Sequence, residues 1–151
     1  NFIIQDSEGR KLAWANSNWT HLDISTGLPA RLTLADTDNY VLGEKMEMDY
    51  APRKIKLPED MIAQEAFTVQ KHHLDTNHHV NNCQYVCMAE DFLPESFKIY
   101  QMRAEYKMQA KLGDVICPKV KTETDKVVVS LDNIEGKAYA IVEFLKKEGD
   151  I

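Results

Sequence analysis

The chain has 151 residues, 44% of them hydrophobic and 28% charged, which is enough apolar material for one full core. Its formal net charge of −6 and pI near 5.3 argue against a nucleic-acid partner, because phosphate contacts draw on an excess of Lys and Arg. No apolar run approaches the roughly 20 residues of a membrane span, and three cysteines point to reduced thiols in a cytoplasmic-type compartment rather than to a disulfide framework. The sequence opens on Asn1 and not on methionine, so an upstream leader, a plastid-directing one included, lies outside view.

In chain order, "FIIQDSEGRKLAWA" (Phe2 to Ala15) reads as a β-hairpin. "VVVSLDNIEGKAYA" (Val127 to Ala140) repeats its pattern: an apolar triplet, an Asp ahead of Glu-Gly-basic, then alternating small and aromatic residues. The Glu8-Gly9 and Glu135-Gly136 pairs lie a small domain's length apart, which suggests tandem units with the chain entering partway through the first. The first hairpin would have an open edge, so it is expected to pack on the second unit or to pair with another copy of the chain as a homo-oligomer. Residues 34–60 are polar, hold Pro52 and Pro58, and read as a linker with one short helix. Met61 to Gln70 reads as a strand.

The stretch "CQYVCMAEDFLP" then places Cys83, Tyr85, Val86, Cys87, Met88, Ala89, Phe92 and Leu93 almost all round a helix, which predicts a buried one ending before Pro94. Unbroken alternation from Tyr100 to Ala110 predicts a strand whose Tyr100, Met102, Ala104, Tyr106, Met108 and Ala110 pack, with Gln101, Arg103, Glu105, Lys107 and Gln109 on the polar side. Gly113-Asp114 turns into "VICPKVKTE", where Pro118 argues for an edge or a bulge. Short turns between the last strands permit only antiparallel pairing, so the expected class is α+β, a single buried helix partly enclosed by an antiparallel sheet.

"HHLDTNHHVNN" (His72 to Asn82) concentrates the chemistry. His79, Cys83 and Cys87 are spaced by four and would share a helical face as metal ligands, although structural zinc sites more often use short Cys-x-x-Cys loops and helical cysteines are more often small buried hydrophobes. Asn77, Asn81 or Asn82 would serve as helix caps. Neither reading explains the alternation of Asp75, Asn77 and His79. In an extended segment these three project to one side, next to the free N–H groups of Val80, Asn81 and Asn82 at the helix start. A base, an orienting group and oxyanion donors are what attack on a carbonyl needs.

Asp75-x-Asn77-x-His79-Val80-Asn81-Asn82 resembles the active-site motif of the acyl-acyl-carrier-protein (acyl-ACP) thioesterases, a tandem hotdog family. "LAWANSNWTHLDISTGLPARL" (Leu12 to Leu32) is similar to the end of that family's first hotdog domain, and "MRAEYKMQAKLGD" to a strand of its second. The resemblance implies a hotdog fold with a remnant of a first unit over residues 1–33, the linker over 34–60, and a second hotdog domain over 61–151. It implies hydrolysis of acyl-ACP thioesters to free fatty acids, with no metal and no cofactor. An acyl-CoA thioesterase and a non-catalytic acyl-binding module of the same fold are the alternatives.

By the same resemblance, Asp75 is the nucleophile or general base, Asn77 polarises the thioester or positions water, and His79 holds or relays a proton. Plant members carry a Glu-Cys pair where this chain has Gln109 and Ala110. A papain-like cysteine is therefore absent at that place, and Gln109 becomes a second-site position without its carboxylate. Glu105 lies on the same strand face but about 13 Å away at the usual rise, so it does not replace it. Acyl carrier protein is acidic, so its docking on this acidic chain calls for a local basic patch, with Arg53, Lys54, Lys56 and Lys71 as candidates.

Overall fold

The computed structural model describes residues 1–41, 43–48 and 50–146. It falls into two compact units, Asn1–Tyr50 and Ala51–Ile151. In the first, β1 (Phe2–Gln5) and β2 (Lys11–Ala15) pair antiparallel, with Phe2 opposite Ala15, and a short helix α1 (Leu34–Thr37) starts at a Thr33–Asp36 capping box. The expected first hairpin and short helix are both present.

The second unit is a six-stranded antiparallel sheet carrying one long helix, as the α+β reading expects. Its strands are β3 (Ile62–Ala63), β4 (Phe67–Thr68), β5 (Ile99–Tyr106), β6 (Val115–Thr122), β7 (Lys126–Asp132) and β8 (Ala138–Lys146), in the order β3-β6-β7-β8-β5 with β4 also on β6. The expected Met61–Gln70 strand is thus two short pieces. Ile62 pairs with Val120 but Phe67 with Ile116, so the register slips by one residue between them. The reason lies in Pro118. Gln64 N–H donates to the Pro118 carbonyl at 2.9 Å, and a strand residue's N–H and C=O point the same way. The missing N–H of Pro118 therefore faces this interruption, where no partner is required of it.

The β7 sequence KVVVSLD alternates two buried faces. Val127, Val129 and Leu131 join Ile116, Val142 and Phe144 against the helix α2 (Asn82–Glu90), which contributes Tyr85, Met88 and Ala89. Each fully buried side chain of this kind contributes roughly 1.5–3 kcal/mol. On the outer face Ile55 packs on Val128 and Ile141, so part of the stretch read as a linker lies on the sheet. The polar groups there are all partnered: Ser130 and Asp132 bond each other, Lys119 reaches Asp132 at 2.9 Å, and Arg103 pairs with Glu143 at 2.6 Å.

Two expectations about faces are corrected. The helix is not wrapped all round: its 3.6-residue period turns Tyr85, Met88 and Ala89 to the sheet and leaves Cys83 and Cys87 exposed. The strand read as Tyr100–Ala110 ends at Tyr106, after which the N–H groups of Lys107 and Met108 both donate to the Tyr139 carbonyl, a bulge that frees the chain from β8. On β5, which is a sheet edge, Tyr100, Met102 and Tyr106 stay exposed. Ala104, with Met108 and Ala110 beyond the strand, packs on the core as expected, but the polar side is covered too: Arg103 bonds the Pro52 carbonyl, and Glu105 accepts the Ile55 N–H at 3.2 Å. Burial works against the Glu105 charge, but the Lys107 ammonium and the Ile55 N–H outweigh it and hold the carboxyl below its usual range.

Candidate active site

The motif begins as a 3₁₀ turn, Lys71–His73, in which His73 Nδ1 accepts the Gln70 N–H at 3.0 Å. Leu74 and Val80 then form an antiparallel bridge, and the five residues Asp75 to His79 close between them. The segment is therefore not extended. Asp75 N–H donates to the His79 carbonyl at 2.8 Å, and His78 N–H donates to the Asp75 carbonyl at 3.1 Å. The Asp75 carboxylate Oδ1 accepts from Asn77 N–H at 2.8 Å and from His79 N–H at 3.2 Å. Asp75, Asn77 and His79 remain neighbours, but through a tight turn in which backbone amides compete for the carboxylate.

The same turn closes both hairpins that the sequence pairs with one another. Asp6 Oδ1 accepts from Glu8 and Arg10 N–H, each at 2.9 Å, and Asn133 Oδ1 accepts from Glu135 and Lys137 N–H, each at 2.9 Å. The fourth residue is left-handed in all three, Gly9 at φ 79, Gly136 at φ 77 and His78 at φ 60. This is the three-residue hairpin loop, a type I turn followed by a left-handed residue. In the motif alone that strained position holds a side chain.

After the turn, the chain pairs sideways. Val80 N–H donates to the Ala110 carbonyl at 2.9 Å and His79 is bridged to Lys111. Val80 and Ala110 are buried, so by strand alternation His79, Asn81, Gln109 and Lys111 lie on the other face. Two amides, an imidazole and an ammonium thus share one face of this pairing, ahead of the start of α2. Asn81 caps that helix, its Oδ1 accepting Cys83 N–H at 2.8 Å.

Of the three N–H groups expected to face a substrate, Val80's goes to Ala110 and Asn81's to the His73 carbonyl. The Asn82 N–H takes part in none of the described hydrogen bonds. His79 precedes α2 and so does not share its face with Cys83 and Cys87; among the described residues no group of three His, Cys, Asp or Glu is placed to hold a metal. Arg53, Lys54 and Lys56 are exposed around Ile55 on the outer sheet face, while exposed Lys71 opens the 3₁₀ turn. Sequence reasoning did not single out Lys111 or Tyr85, whose hydroxyl accepts the buried Ala110 N–H at 2.8 Å. No local pattern announces either; both depend on pairing across the fold.

A family model for the acyl-ACP thioesterase C-terminal domain matches residues 55–144. The chain belongs to the acyl-ACP thioesterase family. Its fold is similar to that of an acyl-ACP thioesterase from Bacteroides thetaiotaomicron, with a TM-score of 0.79 at 18% identity over 96% of this chain and 60% of that one. A Lactobacillus plantarum structure named an oleoyl thioesterase follows, with a TM-score of 0.69 at 19% identity over 97% of this chain and 61% of that one. A Staphylococcus aureus protein solved in complex with CoA shares 17% identity over 58% of this chain and 75% of that one, with a TM-score of 0.50. No curated protein sequence matches the chain. The hotdog fold expected from the motif is thereby shown, and the chain spans about three-fifths of the length of the first two structures. Among the described residues no helix is long and apolar enough to cross a membrane.

Proposed function

We propose that this chain carries the hydrolytic site of a thioesterase that releases fatty acids from acyl carrier protein. One observation supports this above the rest: the Asp75 carboxylate, oriented by two backbone amides through Oδ1, stands one bridge away from the start of α2. Oδ2 makes none of the described hydrogen bonds and is available to take a proton from water. The water oxygen then adds to the thioester carbonyl, and the Asn82 N–H is the donor best suited to the oxyanion. The C–S bond breaks as the tetrahedral centre collapses, and the carrier thiol leaves with the proton. In the variant route Asp75 itself attacks the carbonyl, the C–S bond breaks to release the carrier thiolate, and water cleaves the mixed anhydride, giving a proton to the thiolate and restoring the Asp75 carboxylate. Asn77 positions the water or the thioester, and His79 relays the proton.

The first unit, in which none of the described residues is buried, fits a remnant of a first hotdog domain joined by the 34–60 segment to the second. Docking of acidic carrier protein falls to Arg53, Lys54, Lys56 and Lys71. Initial rates of the full-length protein on acyl-ACP and acyl-CoA with matched acyl groups test the carrier. A clear preference for acyl-ACP supports the reading, whereas equal rates point to a general acyl thioesterase. Gln109 in place of a carboxylate favours the second reading, an acyl-binding module, which would bind without turnover in a single-turnover experiment.

A further inference from the structure

We infer that Tyr85 is a positioning residue for the reaction proposed above, fixing the Gln109–Lys111 segment against the Asp75–His79 turn. Where the bulge at Lys107 and Met108 ends the pairing with β8, the next strand-like segment has lost its neighbour on that side. Ala110 is fully buried there, and a buried N–H without an acceptor is costly. Tyr85, 2% exposed on the inner face of α2, supplies the acceptor: its hydroxyl oxygen lies 2.8 Å from Ala110 N. The Ala110 carbonyl accepts Val80 N–H at 2.9 Å. Both backbone groups of one residue are thus committed, one to the helix and one to the motif.

The consequence is geometric. Gln109 and Lys111, on either side of Ala110, face away from the core on the side of His79 and Asn81, and their height over the turn is set by where Ala110 is held. Asp114 supports the far end, its Oδ2 accepting Lys111 N–H at 2.8 Å and the Tyr139 hydroxyl at 3.4 Å. Burial pushes the Tyr85 phenol above its ordinary value, with the Ala110 N–H acting against the rise and the Asp114 charge with it. The phenol therefore stays protonated at neutral pH, and its oxygen, 2.8 Å from Ala110 N, serves as a fixed acceptor. Tyr85 touches no reacting atom; it acts through position 109.

The test is steady-state kinetics of the full-length protein on an acyl thioester, with Tyr85→Phe alone and combined with Gln109→Ala. Tyr85→Phe keeps the ring and removes the acceptor, so kcat is expected to fall about tenfold with KM within about twofold. In the Gln109→Ala background the same substitution is expected to lower kcat by less than about twofold, because the two act on one geometry. An unchanged kcat, a change confined to KM, or independent, multiplying losses overturn the inference. Where the phenylalanine variant does not fold, 3,5-difluorotyrosine at position 85, assayed at a pH low enough to keep its phenol neutral, weakens the acceptor at nearly constant packing. Faster hydrogen exchange at the Ala110 amide together with a lower kcat then supports the role, and no change in either overturns it. An active wild type with indifferent variants removes this inference alone, whereas a wild type that hydrolyses no thioester removes the proposed function and this inference with it.

Discussion

Asp75 and Asn133 hold their turns with the same pair of hydrogen bonds, each side-chain Oδ1 accepting the N–H groups two and four residues ahead. An amide oxygen therefore does structurally what the Asp75 carboxylate does, and Asp75→Asn separates turn from chemistry. Its stability is expected to stay within about 0.5 kcal/mol of the wild type while hydrolysis by the full-length protein falls about 10²-fold or more. Asp75→Ala is expected to lose about 1 kcal/mol as well, read by denaturant unfolding. Asp75→Asn with most of its activity intact would remove the carboxylate from the mechanism.

His78 occupies the place that Gly9 and Gly136 hold in the other two turns. A side chain in the left-handed region costs roughly 1 kcal/mol or more. His78→Gly is accordingly expected to raise stability by about 0.5–1 kcal/mol, and His78→Val, branched at Cβ, to lower it. Urea unfolding midpoints of the two variants decide this; a destabilised glycine variant would mean that the imidazole makes a compensating contact.

Gln109→Glu supplies the carboxylate that the family resemblance implies at this position. With Asp75 already present, the rate is expected to change by no more than roughly tenfold. Should the wild type be silent and the variant active, the natural protein is an acyl-binding module.

Cys83 and Cys87 lie one helical turn apart and exposed, and Cys117 is half-covered. Titration of this 151-residue chain with a chromogenic disulfide is expected to show two thiols reacting ahead of the third. Cys83 leads, since partial desolvation against the helix and the neighbouring Cys83 thiol push Cys87 above its ordinary value and thin its thiolate. Three slow thiols would contradict the exposed face of α2.

His73 gives the fold a pH dependence whose sign follows from its environment. Burial, with the neighbouring His72, holds its imidazole below the ordinary 6.5. Its Nδ1 accepts the Gln70 N–H, which requires that nitrogen to be unprotonated. The unfolded chain thus takes up a proton more readily, so this contribution is fully present above about pH 6.5 and is lost as pH falls through the lower folded value. Stability should decline from pH 7 toward about pH 5, with a shallower slope in His73→Ala. An unaltered slope would assign the dependence to other groups.

Both hairpins and the second-unit helix were legible in the sequence because their signals are local: Glu-Gly loops, apolar alternation, and Pro94 closing the helical run. The candidate site residues suggested themselves for a different reason, since Asp75, Asn77 and His79 stand close together in the chain. Their conformation was not. Alternation alone suggested an extended segment, but an aspartate two and four residues ahead of free amides can fold the chain onto itself, and the left-handed position was disguised by a histidine where its two counterparts have glycine. That the polar side of β5 is covered as well was equally hidden, because Pro52 and Ile55 reach Arg103 and Glu105 from some fifty positions away. Tyr85 and Ala110 belong with these: a helix residue read as core filling turns out to hold the end of a strand.

The three matching turns also bear on the order in which the molecule assembles. Each closes over five residues by bonds among those residues alone, and such short loops form within microseconds without help from the rest of the chain. A peptide covering Leu74 to Val80 can therefore sample the Asp75 turn on its own. The bond from Val80 to Ala110 spans thirty positions and waits for β5, β8 and α2 to come together. The carboxylate thus finds its shape early and its surroundings last, so a chain arrested before that late docking would carry the motif in its native form and hydrolyse nothing.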